Sequence, residues 1–409
     1  IYMTKYKNEL ACFILTIIFI LTSFNIFSQP TGKTILPNKK IAVIELTGNG
    51  YQRGLQHGRI LKKEIAEVFR LWKENIQSST KQDADSVITR FYNATNFVPA
   101  IKKWTPEIYD EIKGISQSSG QSFKDVLCFQ LVDEFWVFLD SVENLQNHHC
   151  SGLGVAATNS HPAYIAQNMD IEGFRNGFQI LLHIASNIKE PEQYILSCPG
   201  LIGLNGLNSK SIGVCVNTLL ELRACSDGLP VAFVIRGILS KQDRESALIF
   251  VQTIKHASGQ NYIIGTIDSV YDFEASAGKV VRFLPIPDNY SIVYHTNHAI
   301  VNDNIKPWYE EIHKQISVWE FLNVNSLKRF ASLKDRLNLP ANSISDNIIK
   351  EALRSKDDLQ NPVCRDYKNG KSGFTFSSVI LTLGKAPSIQ LTYASPDQSE
   401  YILHTFKDK

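Results

Sequence analysis

Cys150 and Asp170 stand twenty positions apart, and the residues between them read as a hairpin that returns one to the other. Residues 150–158 are small and strand-like, Asn159-Ser160-His161-Pro162 is a cluster of turn formers, and residues 163–170 run back as a second strand. A turn centred between Ser160 and His161 sets Cys150 opposite Ile171 and Asp170 opposite Ser151, roughly 5–8 Å between facing backbones. The return strand ends in Gln167-Asn168-Met169-Asp170, three polar groups that a strand burying one face does not need. A cysteine attacks an amide carbonyl as a thiolate, so it needs a base and a site for the oxyanion. Cutting the bond between His149 and Cys150 would place an α-amine, of unperturbed pKa about 7.7–8, on the nucleophile itself. No distant histidine is then required, and Asp170 stands where it can hold that amine. On composition alone, an inert buried thiol is the commoner reading of a cysteine.

Other chemistries fit less well. His148, His149 and Cys150, even joined by His295 and His298, make a poor metal site, because neighbours on an extended chain point to opposite faces. No complete ligand spacing is present, and no metal or other cofactor is expected. The seven cysteines include no CxxC pair, and their wide spacing does not resemble a disulfide scaffold. Gly54 and Gly58 lack the Lys-Ser/Thr of a phosphate loop and read as packing or turn glycines.

The elements that must position Cys150 follow from periodicity. A strand at 41–46 ends in Thr47-Gly48-Asn49-Gly50, and Leu61, Ile65, Val68, Phe69, Trp72 and Ile76 share one helical face. A second helix opens at Thr105-Pro106, carries Ile108, Ile112 and Ile115, and breaks at Gly120 before an apolar segment at 126–138. Beyond the hairpin come strands at 179–185, 194–198 and 212–217, then helices at 231–240 and 245–256. Four short strands fill 262–295, helices lie between 307 and 353, and a meander at 374–383, 388–394 and 401–405 ends the chain. Strands and helices segregate in blocks, which predicts an α+β fold with mostly antiparallel sheets.

The 409 residues are 44% hydrophobic, as in globular proteins, and carry a formal net charge of +2 without a long run of one sign. Nucleic acid and anionic membrane are therefore not expected as main partners. Lys5 and Lys7, an apolar run at 11–27 and a polar stretch from Ser28 read as an export signal cut after Ser28. This predicts a periplasmic or extracellular protein with no stable membrane span once the signal is gone. The alternative is an N-terminal membrane anchor.

Several pieces, in order, resemble the acyl-coenzyme A:6-aminopenicillanic acid acyltransferase and carcinine hydrolase-like family of N-terminal-nucleophile (Ntn) hydrolases. They are the segment Gly50 to Gly58, Thr105-Pro106-Glu107-Ile108 through Gly120, Cys150-Ser151-Gly152 with Gln167-Asn168-Met169-Asp170, and Gly203 to Asn208 with Gly213 to Asn217. Gly228-Leu229-Pro230 leading to Arg236, His295-Thr296-Asn297-His298, Cys364-Arg365-Asp366 and Ser377-Ser378-Val379-Ile380 follow. The resemblance covers nearly the whole chain after the signal. It implies a four-layer αββα sandwich, self-cleavage before the cysteine, and two associated chains, 29–149 and 150–409, folded together as one domain. By position, Cys150 is the nucleophile, its new amine the base, and Asp170 the group that orients the amine. Asn297 is the first match for an oxyanion donor and Asn217 the second. Arg365 matches an arginine that steadies Asp170 or the substrate, and Gln167 and Asn168 are candidates for binding substrate. The chain departs from the family's pattern at His148-His149, where many relatives carry glycine or an acid. It departs again at Gln167, near which bile-salt hydrolases carry arginine. The expected function is hydrolysis of a small N-acylated amide through a Cys150 thioester, with acyl transfer to an amine as a variant and self-association of further copies left open. The alternative is a catalytically idle exported binding protein that keeps the fold.

Overall fold

The computed structural model describes residues 40–139, 149–287, 289–368 and 373–406. The expected export signal and His148 lie outside the described residues. In chain order the strands are β1 (Ala42–Leu46), β2 (Ser151–Val155), β3 (Tyr164–Ile171), β4 (Ile180–Ile184), β5 (Gln193–Ser197), β6 (Asn205–Asn208), β7 (Gly213–Thr218), β8 (Gln260–Gly265), β9 (Val270–Ala275), β10 (Val280–Arg282), β11 (Ile292–His295), β12 (Phe374–Thr382), β13 (Ser388–Leu391) and β14 (Ile402–Thr405). They form an eight-stranded sheet, β1-β4-β5-β6-β7-β8-β9-β10, and a six-stranded sheet, β11-β2-β3-β12-β13-β14. Every neighbouring pair is antiparallel except β1 with β4.

The sheets stack with β2 and β3 against β7 and β8. These strands are buried almost throughout, including the polar Gln167 and Asn168 of β3 and Gln260 and Asn261 of β8. Helix α8 (Val231–Leu239) covers β6 and β7, while α11 (Ile316–Leu337) and α12 (Asp346–Leu353) cover β2, β3 and β11. This is the expected α+β class in four αββα layers.

The remaining helices are α1 (Gly50–Ile60), α2 (Lys62–Thr80), α3 (Ala84–Ala94), α4 (Val98–Trp104), α5 (Pro106–Ser119), α6 (Phe123–Gln130), α7 (Val132–Leu139), α9 (Arg244–Thr253) and α10 (Pro307–His313). Their ends follow sequence rules. Asn49 and Gln52 form a capping box at α1, Pro106 opens α5, and Gly120 ends it at φ +81°. Helix α2 buries Ile65, Val68, Phe69, Trp72 and Ile76, and its Trp72 ring packs edge-on against Phe129 and Phe135 at 5.2 and 6.4 Å. Burying each such side chain contributes about 1.5–3 kcal/mol. Among the described residues no helix is long and apolar enough to cross a membrane.

Helices α1 and α5 touch backbone to backbone. A Cβ on Gly54 would collide with the Glu111 carbonyl oxygen, so Gly54 is a packing glycine as its sequence context suggested. The close approach buries Glu111 completely, and two guanidiniums converge on it: Arg53 Nε at 3.0 Å, and Arg236 Nη1 and Nη2 at 2.8 and 2.9 Å. Burial pushes the Glu111 carboxyl up, but Arg236 and Arg53 outweigh it and hold it at about 2. Arg53 also meets Glu190 at 2.8 Å, and the Gly200 N–H donates to His57 Nε2 at 2.9 Å. Residues upstream of Cys150 are thus tied to residues downstream of it by buried, charge-assisted contacts.

Candidate active site

The hairpin forms two registers from the count made on sequence. Thr158 N–H donates to the His161 carbonyl at 3.0 Å, so Asn159 and Ser160 are the two corner residues. Ser151 pairs with Asn168, which sets Cys150 at the level of Met169, in place of Ile171. The adjacency survives the correction: Cys150 Sγ lies 3.7 Å from Met169 Sδ and 3.5 Å from the Asp170 carbonyl oxygen.

Cys150 and Asp170 are 8% and 5% exposed and share the lining of a cavity of about 520 Å³. Its walls are apolar at Leu201, Leu204, Val216, Val231 and Ile235, with α7 along one side. Burial pushes the thiol up to about 12, and the neighbouring Asp170 charge adds to the rise. Burial likewise pushes Asp170 up to about 8, only partly offset by the Thr375 hydroxyl and the Arg329 charge. Neither Asp170 carboxyl oxygen makes a hydrogen bond of good geometry among the described residues, although the Thr375 hydroxyl opposite is near enough to act on it. With the His149 peptide intact, burial keeps this thiol protonated at neutral pH. The His149 imidazole turns away, its Nδ1 2.8 Å from Asn325 Oδ1.

Arg329 was not found from sequence. It is fully buried on α11, with Nη1 donating to the Cys150 carbonyl at 2.6 Å and to Ser151 Oγ at 3.0 Å. Nη2 donates to Asn297 Oδ1 at 3.0 Å and Nε to Asn325 Oδ1 at 2.8 Å. Burial lowers its pKa to about 10, against the pull of Asp170 and Cys150, so it stays charged at neutral pH. The available signal was its place on the buried face of α11, at helical spacing with Leu322, Ser326, Leu333 and Leu337.

The other expected residues divide. Asn297 spends Nδ2 on the Thr218 carbonyl at 3.0 Å. Asn217 is fully buried, both its side-chain atoms lack partners among the described residues, and its Oδ1 lies 3.0 Å from where a Cβ on Gly152 would stand. Arg365 does not reach Asp170. Its backbone pairs with Thr375, which lies opposite Asp170, while its Nη1 has no partner and burial lowers its pKa to about 10. Arg329 is instead the guanidinium whose charge acts on Asp170, without a direct hydrogen bond to it. Gln167 donates to the Val216 carbonyl and accepts from Asn205 at 2.8 Å. Asn168 donates to the Leu353 and Val363 carbonyls at 2.8 and 2.9 Å. Both amides crosslink layers, and neither lines the cavity. None of the six described cysteines is disulfide-bonded, and five are buried. Among the described residues no three His, Cys, Asp or Glu side chains gather into a metal-holding group.

Residues 156–398 match the family model of acyl-coenzyme A:6-aminopenicillanic acid acyl-transferase. Protein dcd1A of Dictyostelium discoideum is 26% identical over 237 residues, and the chain spans about half the length of that relative, with 50% of each covered. Among solved structures, an N-acylethanolamine-hydrolyzing acid amidase ortholog of Caenorhabditis elegans aligns at TM-score 0.39 and 17% identity, over 57% of this chain and 92% of that one. Penicillin V acylase from Agrobacterium tumefaciens aligns at TM-score 0.37 and 12% identity, over 60% and 83%.

Proposed function

Because the chain belongs to the acyl-coenzyme A:6-aminopenicillanic acid acyl-transferase family, whose chemistry is amide hydrolysis or acyl transfer, we propose that it is a self-processing amide hydrolase with Cys150 as nucleophile. The observation that carries this reading is the buried Asp170 carboxyl, without a well-formed hydrogen bond among the described residues, in the cavity it shares with Cys150. A buried acid without partners costs stability, and such a group calls for a functional explanation. An ammonium formed at the Cys150 nitrogen supplies the missing partner.

In processing, Cys150 Sγ attacks the His149 carbonyl carbon. The C–N bond breaks, the nitrogen takes the thiol proton and becomes the α-amine, and water hydrolyses the thioester between the His149 carbonyl and Sγ, releasing the His149 carboxylate and the free thiol. The amine then accepts the thiol proton, and the thiolate attacks the substrate carbonyl in the cavity. Asn217, which lies outside the cavity lining between Val216 and Thr218 of that lining, is assigned as oxyanion donor because its buried amide is unspent among the described residues. The leaving amine takes the proton back, and water releases the acyl group from Sγ, or an amine accepts it.

The test is the chain's behaviour on a denaturing gel. Wild type is expected as two fragments, the second beginning at Cys150, and Cys150→Ala as one. An uncut wild type that no thiol-reactive acyl probe labels overturns the proposal and leaves a binding protein with a silent thiol.

A further inference from the structure

We propose that the cavity selects amides bearing a protonated amine and that Asp133 holds the ammonium. This rests on Cys150 being the nucleophile in that cavity.

On α7, Val132, Asp133, Trp136 and Leu139 line the cavity. Asp133 is half-buried and fixed: its Oδ2 accepts from Thr218 Oγ1 and from Gln260 Nε2, both at 2.9 Å. Its Oδ1 takes no hydrogen bond among the described residues. The charged groups among the described lining residues are Asp133, Asp170, Glu172 and Arg175. Arg175 is paired with Glu172, whose other oxygen accepts Trp136 Nε1 at 3.0 Å. Asp170 is the acid already assigned to the Cys150 amine. Among the described residues Asp133 is left as a negative charge without a cation, and it stands near enough to raise the Cys150 thiol.

The cavity is walled partly by its Leu, Val and Ile side chains and partly by neutral polar ones such as Asn75, Gln130 and Thr218, none of which can neutralise the Asp133 charge. A substrate carboxylate beside it is repelled, whereas an ammonium gains an ion pair. Trp136 strengthens the choice. It lies three residues from Asp133 on the same helical face, and an aromatic ring beside a carboxylate is a favourable ammonium environment. The substrate class is therefore small amides with a primary amine on the acyl or leaving part, and N-acyl amino acids with a free carboxylate are disfavoured.

The test uses two chromogenic amides of equal length, one ending in an ammonium and the other in a methyl group. The processed wild type is expected to favour the ammonium amide about tenfold or more in kcat/KM, through KM. Asp133→Asn keeps an acceptor for Thr218 and Gln260 but removes the charge, and should bring the ratio of the two near unity. A wild type that prefers the methyl amide, or a ratio unmoved in Asp133→Asn, overturns the inference. If neither amide turns over, calorimetry on uncut Cys150→Ala decides separately from catalysis. Tighter binding of the ammonium amide, lost when Asp133→Asn is added, supports the inference while the hydrolase reading fails. Equal Kd values for the two amides overturn it.

Discussion

Arg329 Nη1 donates to the Cys150 carbonyl at 2.6 Å from a helix in the layer behind the sheet. One guanidinium thereby fixes the Cys150 backbone and Asn297, and through Asn325 it reaches the His149 imidazole. Arg329→Met strips these buried acceptors of their donor and removes a charge opposite Asp170. A loss of about 3–5 kcal/mol in folding stability is expected, with a smaller loss for Arg329→Lys. Urea denaturation in the Cys150→Ala background measures it, and a loss below about 1 kcal/mol for the methionine variant contradicts the assigned role.

The buried Asp170 makes stability depend on pH. In uncut Cys150→Ala its carboxyl titrates near 8 when folded, against about 3.9 when unfolded. Between those values the folded state holds a proton that the unfolded chain has released. Its contribution is thus fully present below about pH 4 and is lost as pH rises through 8. Adding Asp170→Asn should flatten the decline and stabilise the chain at pH 8 by roughly 5 kcal/mol or less. Unfolding curves at pH 4 to 8 that run parallel for the two chains refute this.

The nearness of Cys150 and Asp170 was legible because a hairpin is local. The count erred by two registers because Asn159, Ser160, His161 and Pro162 all favour turns, and only the Thr158–His161 hydrogen bond shows which pair takes the corner. Strand alternation already separates Gln167 from Asn168, sending one toward β7 and the other toward α12, so they were poor candidates for one pocket. Arg329 is a different case. A charge on the buried face of α11 marks it as unusual, but its partners at Cys150 and Ser151 stand 179 and 178 positions earlier, across a layer contact that no periodicity counts. Arg365 drew the role by motif, and strand register then put Thr375 between it and Asp170.

Glu111 joins the two segments that processing would separate, with Arg53 on its own side of the cut and Arg236 beyond it. Glu111→Gln leaves two buried guanidiniums facing a neutral amide. A loss of about 3–5 kcal/mol is expected, with the processed fragments parting at lower urea than in wild type. The acid limb gives an independent check. Glu111 is held near 2, so its contribution is present above about 4.5 and lost as pH falls through 2. The two proteins should therefore converge in stability toward pH 2. Fragments that stay associated equally well at every pH and urea concentration refute the staple.

Asn217 and Asn297 compete for the oxyanion, and hydrogen-bond accounting separates them. An oxyanion needs a donor not already spent in the resting enzyme. Asn297 gives Nδ2 to Thr218 and Oδ1 to Arg329, so it is structural in this state. Asn217 is buried against Gly152 with neither atom partnered, an arrangement that costs about 1–3 kcal/mol until something fills it. Asn217→Ala should then cost little folding stability but lower kcat by about 10²–10³-fold, with KM nearly unchanged. Asn297→Ala should do the reverse, destabilising the fold while reducing kcat less. Steady-state kinetics and denaturation on the two processed variants give four numbers. If Asn297→Ala proves the more damaging to kcat and the less damaging to stability, the two asparagines exchange roles.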